Sequence, residues 1–299
     1  MNTTKNQANS KSRPLLIIII VTLSIVALAG VIVYGLGYRY IKTDYAKFSG
    51  WTKNGAPTEG TIRYIDETVG TLKIDKSTNT PTIKYHTGEV YTGELSGIVR
   101  NGKGKIIYSN GDVYEGDFKN DMRSGKATVK YADGSIYEGE VFDGKPHGLG
   151  KYTFADSSVY YGLFNHGAKH GEAEYRMADG SYYRGTFVND LKDGTEICNV
   201  PLMDGKIYTG ECIMYFADTG STYVGDFVKD KRTGRGKYTF KSGEYYEGDF
   251  VNGLFEGMGI YHFADDSVPP YSGLFSGGKI VKEENKNTPE IKTETSENE

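Results

Sequence analysis

Two patterns of apolar residues divide this chain. From Leu15 to Leu36 there are 22 residues without a charge, LLIIIIVTLSIVALAGVIVYGL. As a helix rising 1.5 Å per residue this run would cover ~33 Å, enough for a hydrocarbon core of ~30 Å. Lys5, Lys11 and Arg13 precede it, and Tyr34, Tyr38 and Tyr40 lie where an interfacial aromatic belt would sit. Further on the period shortens to two. Tyr114, Gly116 and Phe118 alternate with Glu115 and Asp117, and Ala127, Val129 and Tyr131 with Thr128 and Lys130, which predicts half-buried strands. Ala132-Asp133-Gly134 then reads as a type I turn closed by a glycine in the left-handed bulge position. That loop sets Val129 opposite Tyr137, Ala127 opposite Gly139 and Gly125 opposite Val141. Ser109-Asn110-Gly111 likewise sets Ile106 against Tyr114 and Gly104 against Gly116. In this register every apolar position falls on one face.

The hairpins repeat. Tyr-x-Gly occurs nine times: Tyr91 with Gly93, Tyr114 with Gly116, Tyr137 with Gly139, Tyr160 with Gly162, Tyr183 with Gly185, Tyr208 with Gly210, Tyr223 with Gly225, Tyr246 with Gly248 and Tyr271 with Gly273. With 25 tyrosines and 40 glycines in 299 residues, composition alone would give about three. The spacings are 23, 23, 23, 23, 25, 15, 23 and 25, a phasing that belongs to repeat proteins. A strand glycine packs nothing and costs entropy, but glycines paired across a hairpin leave a trough for an aromatic ring. One hairpin cannot bury its own face, so neighbours must stack.

These residues resemble the MORN (membrane occupation and recognition nexus) repeat: Tyr137-Glu-Gly-Glu, Gly144, His147-Gly148-Leu-Gly150, then Ala155-Asp156. The resemblance runs from Tyr91 to about Ile280. The family's tryptophan is replaced by Leu95, Phe118, Val141, Phe164, Phe187, Cys212, Phe227 and Phe250, and only His147 and His170 keep the His-Gly pair.

The expected fold is all-β, an extended antiparallel β-meander solenoid of MORN-type hairpins preceded by one transmembrane α-helix. A basic tail spans 1–14, the helix 15–36 and a linker 37–67. The array spans 68–280, with a degenerate opening repeat at 68–90, full repeats over 91–270 and a closing half repeat at 271–280. The 15-residue unit from Tyr208 should perturb the solenoid. Residues 281–299, with six glutamates and three lysines, read as a disordered acidic tail. A cleaved signal peptide ending at Ala29 is the alternative to the anchor, but its apolar region would be only ~7–15 residues long. The expected localisation is single-pass in a membrane, with the array on the non-cytoplasmic side because a short basic tail precedes the apolar run; basic residues flank both ends equally.

Chemistry is sparse. Gly97 to Lys103 mimics a phosphate loop, but Gly104 stands where Ser or Thr is required, and no helix follows. His147 and His170 fall two strands apart, ~10 Å, too far to share a zinc ion. Glu115/Asp117, Glu138/Glu140 and Glu247/Asp249 read as a solvated face. Cys198 and Cys212 are diagonal neighbours at ~7–8 Å, marginal for a disulfide. No catalytic, cofactor or metal residue is expected, and no cofactor.

A net charge of −4 argues against nucleic acid. The stretch left for another domain, about 40–67, is shorter than the ~50 residues a domain needs. The expected function is a membrane-anchored, non-catalytic scaffold that binds a protein partner or itself. The alternatives are an accessory or regulatory enzyme subunit and a phospholipid-binding module, the latter weakened by the lack of a basic cluster.

Overall fold

The structure, a computed structural model, describes residues 34–195 and 197–281. Two units divide between Ser109 and Asn110. In the first, β1 (Tyr38–Lys42), β2 (Ala46–Lys53), β3 (Ala56–Tyr64), β4 (Val69–Ile74), β5 (Pro81–Tyr85), β6 (Val90–Ser96) and β7 (Val99–Ile107) each pair antiparallel with the next. Gly50 faces Gly60 and Gly93 faces Gly104. Rings fill both troughs: a β-carbon at Gly50 would stand 2.7 Å from the Phe48 ring, and one at Gly104 2.5 Å from that of Tyr91.

The second unit continues the same logic through β8 (Val113–Lys119), β9 (Met122–Lys130), β10 (Ile136–Phe142), β11 (Lys145–Thr153), β12 (Val159–Asn165), β13 (Ala168–Arg176), β14 (Tyr182–Val188) and β15 (Leu191–Lys192). It then has β16 (Cys198–Pro201), β17 (Ile207–Gly210), β18 (Ile213–Phe216), β19 (Ser221–Val228), β20 (Lys231–Thr239), β21 (Tyr245–Val251), β22 (Leu254–His262), β23 (Tyr271–Ser276) and β24 (Lys279–Ile280). The turn arithmetic gives the observed register: Val129 pairs with Tyr137, Ala127 with Gly139 and Gly125 with Val141. Gly134 has the left-handed φ of 93° that the turn demands.

The expected fold class needs one correction. Every named element among the described residues is a β-strand, and no helix there is long and apolar enough to cross a membrane. Residues 15–33 of the expected transmembrane helix lie outside the described residues. Its last residues turn into β1 at Leu36-Gly37, where Gly37 takes a φ of 106° and donates to the Tyr34 carbonyl. Tyr38 packs edge-on against Trp51 with centroids 5.6 Å apart. Residues 38–64, most of the stretch expected as a linker, form three strands instead, because Ala46, Phe48 and Gly50 alternate inward as the later repeats do. The tail from 282 onward also lies outside the described residues.

A second difference explains the irregular spacing. Tyr183 and Tyr223 stand 40 residues apart, 17 more than one period. The strand that should follow β14 is cut in two. Its beginning, β15, pairs Leu191 and Lys192 with Val188 and Phe187, while its end, β18, pairs Ile213, Met214 and Tyr215 with Arg184, Tyr183 and Tyr182. Residues 197–211 belong to an excursion between the halves, carrying the separate two-stranded ribbon β16–β17. One further residue extends the next turn, where Gly220 donates to Phe216 four residues back instead of three. Tyr208 and Gly210 therefore belong to the ribbon, not to a sheet repeat. Cys212 takes the inward position that Gly150 and Ala173 hold elsewhere, not the family's tryptophan position.

Candidate functional site: the aromatic face and the inserted ribbon

Tyr91, Tyr114, Tyr137, Tyr160, Tyr183, Tyr223 and Tyr246 are all fully buried. In all of their hairpins but that of Tyr183, where the partner strand is interrupted, the register slips just after the Tyr-x-Gly, as between Gly139 and Val141 or Gly162 and Phe164. A bulge leaves one residue outside the ladder. The tyrosine hydroxyl supplies a donor there: Tyr114 donates to the Asp117 carbonyl at 2.7 Å, Tyr137 to Glu140 at 2.5 Å, and Tyr160 to Leu163 at 2.7 Å. On the ribbon Tyr208 makes the same bond to Glu211 at 2.8 Å.

The glycines of the motif line the trough under these rings. Gly225 faces Gly236, while Gly185 faces the methyl of Ala173. At the end of the array Gly259 is flanked on both sides, by Gly248 and by Gly273. A β-carbon at Gly248 would run into the Tyr246 ring, and one at Gly273 into that of Tyr271. Gly273 thus keeps the repeat geometry although Tyr271, at the last hairpin, is only half-buried. Of the nine motif glycines, Gly210 alone lies off the main sheet, in the ribbon.

In the second unit these rings also meet the phenylalanine four positions on, where Tyr137 instead has Val141, and those from Tyr137 onward meet its counterpart in the next repeat. Tyr160 lies 4.9 Å from Phe164 and 5.2 Å from Phe187, both edge-on. Tyr183 reaches Phe227 at 5.1 Å, so the herringbone continues past the ribbon. Edge-to-face pairs add about 0.5–1.5 kcal/mol each beyond burial. Outside them lies a half-buried row including Tyr131, Tyr152, Phe154, Tyr175, Phe216 and Phe240.

Sequence reasoning missed a row of cations. Nine positions after the repeat tyrosine stand Arg123, Lys169, Lys192 and Arg232, with Pro146 and Phe255 in the other two repeats; Arg100 holds the place in the first unit. The four cations of the second unit pair with the phenylalanine across their hairpins, as Arg123 with Phe118 and Lys169 with Phe164, while Arg100 pairs with Leu95; all share the aromatic face. The Arg123 guanidinium is 5.6 Å from the Tyr114 ring, the Lys169 ammonium 5.2 Å from Tyr175, and the Arg232 guanidinium 5.1 Å from Tyr238. Burial lowers the Lys192 pKa, while Asp230 at 3.8 Å opposes that shift. The signal was in the sequence at a fixed offset but carried no known motif.

The opposite face is polar. Lys237 pairs with Glu247 at 2.8 Å and Lys151 with Glu138 at 3.8 Å, so these acids lie in surface ion pairs. The ribbon covers part of this face. Glu174, 0% exposed, bonds Arg184 at 2.9 Å and Arg176 at 3.0 Å and accepts from the Met203 amide, while Glu172 accepts from that of Asn199 at 2.7 Å.

His147 meets His166 rather than His170, with ring centroids 5.3 Å apart beside Phe142, and no group of three metal-ligating side chains occurs among the described residues. A partly open cavity of about 400 Å³ at the ribbon's neck is lined by Gly194, Thr195, Ile197, Glu211, Cys212 and Asp226. Burial raises the Asp226 carboxyl pKa.

Comparison with known proteins follows the same outline. The MORN repeat family model matches residues 91–113, 114–136, 137–159, 160–182, 183–195, 223–245 and 246–268, together half the chain, and breaks off where the ribbon leaves the sheet. No curated protein gives a match. Among solved structures, the chain is similar to the TCP domain of Drosophila melanogaster SAS-4 in complex with a proline-rich motif of Ana2, at 16% identity over 57% of this chain and 88% of that one, TM-score 0.29. It is also similar to the TCP10 domain of Danio rerio CPAP in complex with a STIL peptide, at 12% identity over 73% and 94%, TM-score 0.35. A streptogramin B lyase follows at 9% identity over 77% and 91%, TM-score 0.17. These low TM-scores assign neither a partner nor an activity to this chain.

Proposed function

Because this chain belongs to the MORN-repeat family, we propose that it is a non-catalytic scaffold whose aromatic face, in the unit from Asn110 onward, holds an extended acidic protein segment. The cation row carries this reading. Arg123, Lys169, Lys192 and Arg232 recur at one offset, each beside a tyrosine ring. Successive repeats are two strands apart, ~10 Å, so Lys169, Lys192 and Arg232 follow at that interval, and Arg123 precedes them by two intervals because Pro146 holds the place between. Arginine and aromatic side chains are the residue types enriched where proteins dock. The row is also held in place: Gly253 donates to the Arg232 carbonyl at 2.9 Å while the Arg232 guanidinium donates to the Gly253 carbonyl at 2.8 Å.

The test is capture of a partner by the full chain, followed by cross-linking and mass spectrometry to place the bound segment. Cross-links should fall at Lys169 and Lys192, and Lys169→Glu should weaken capture about tenfold, an effect that grows at low salt. Lys151→Glu, on the polar face, should leave it unchanged. Equal losses in both variants, or cross-links confined to the polar face, would remove the reading. A solution mass of two chains cross-linked through the aromatic face would put a second copy there instead.

A further inference from the structure

The ribbon's neck holds two thiols that neither the repeat nor the proposed docking face uses. Cys198 starts β16 and pairs across the ribbon with Gly210; Cys212 follows two residues later, after the chain bends at Glu211 to rejoin the sheet. A regular ladder would keep such diagonal partners ~7–8 Å apart. Here the chain bends between Gly210 and Cys212, Cys198 donates to the Gly210 carbonyl at 3.3 Å and Cys212 to the Gly194 carbonyl at 3.6 Å. The two thiols lie close enough for each to shift the other's pKa. Cys198 is 2% and Cys212 1% exposed, and both are reduced. The Cys212 sulfur is tightly seated, since a β-carbon at Gly194 would stand 2.6 Å from it and one at Gly185 2.7 Å. It also lines the neck cavity, which gives a small reagent a path to it.

We propose that Cys198 and Cys212 are a thiol–disulfide modification site, oxidised by a small disulfide of the glutathione class, whose closure staples the inserted ribbon at its neck. The Cys212 thiolate attacks one sulfur of the incoming disulfide, forming a mixed disulfide and releasing one thiolate. The Cys198 thiolate, its proton lost to solvent, then attacks the Cys212 sulfur and expels the second thiolate. Two electrons pass from the cysteine pair to the reagent, and its two thiolates take up the two protons. The neighbouring Cys198 thiol lowers the Cys212 pKa against the opposing effect of burial, which favours Cys212 as the attacking sulfur. The bridge closes across 198–212, the stretch that contains the whole ribbon.

Lys206 is the one trypsin site between the two cysteines. The reduced full chain, incubated with oxidised glutathione and digested without reductant, should yield peptides 193–206 and 207–229 joined within one chain, about 2 Da below their summed masses. Amide exchange across Ile207–Gly210 should slow about tenfold on oxidation, as expected when a cross-link restricts opening. Cys198→Ser should abolish both changes. Two free thiols after oxidation, a glutathione that stays on Cys212, or a link between two chains would each overturn the site. Unchanged exchange in the bridged protein would overturn the staple.

Discussion

A tyrosine ring laid over two facing glycines leaves no room for a β-carbon at either. At Gly139 the added atom would stand 2.5 Å from the Tyr137 hydroxyl, and at Gly150 2.6 Å from its ring. Where the sequence admits one methyl, at Ala127 and Ala173, the facing Gly116 and Gly162 must stay bare. A β-carbon at Gly116 would meet that of Ala127 at 2.5 Å and the Lys126 carbonyl at 2.7 Å. Gly116→Val should therefore cost about 3 kcal/mol, the upper part of the overpacking range. Glu115→Val, one residue away on the exposed face, should stay within about 0.5 kcal/mol. Equal urea midpoints for the two variants would show that Gly116 does not face Ala127. Glycine spacing alone made this position legible; its partner needed the register.

At the scale of the element, the ribbon is separable from the sheet. The Gly194 and Phe227 backbones exchange hydrogen bonds, and Gly225 donates to the Cys212 carbonyl at 3.0 Å, so both ends of the interruption already sit on β19. Elsewhere one residue separates the corresponding positions, as Leu149 separates Gly148 from Gly150. Excising residues 196–211 leaves Thr195 as that residue and restores a continuous strand. The shortened protein should keep its β circular dichroism and lose only about 1–2 kcal/mol in urea, mainly because Glu174 and Glu172 give up their ribbon amides. Excising sixteen residues from a regular repeat, 150–165, should instead destroy cooperative unfolding. If the ribbon deletion unfolds the protein as well, the two half-strands are not one interrupted strand. The spacing anomaly of 25 then 15 residues was visible beforehand, but it read as a short repeat because Tyr208-Thr-Gly210 carries the same motif.

Across the whole molecule the buried tyrosines act together. Burial is the largest cause in each case: it pushes the Tyr131 and Tyr246 hydroxyls up to about 12, and those of Tyr137, Tyr160, Tyr183 and Tyr223 further. An unfolded tyrosine ionises near ~10. Above that pH the native state holds protons the unfolded state has released, so stability falls as pH rises. This contribution is whole below about pH 10 and lost as pH climbs through the raised native values. Tyrosinate absorbance at about pH 11 should thus report only the exposed rings, and the buried set should ionise in one step coincident with loss of β-structure. A smooth titration of all tyrosines before unfolding would mean that the rings are not shielded.

The sequence by itself determined the repeat, its aromatic and polar faces and the hairpin register, because period two, a three-residue turn and a 23-residue phase are all local and leave one consistent pairing. Tertiary structure decided the rest. Residues 38–64 became strands because Phe48 could pack over facing glycines, a pairing too diverged from the Tyr-x-Gly motif to be found by search. Tyr208 left the array because β18 could complete β15 and take the place beside β14, which depends on the edge offered by residues 182–188 and not on the motif. The same departure drew Cys198 and Cys212 together and buried Glu174. No local pattern encodes such contacts, since they exist only where a chain leaves a sheet and folds back upon it.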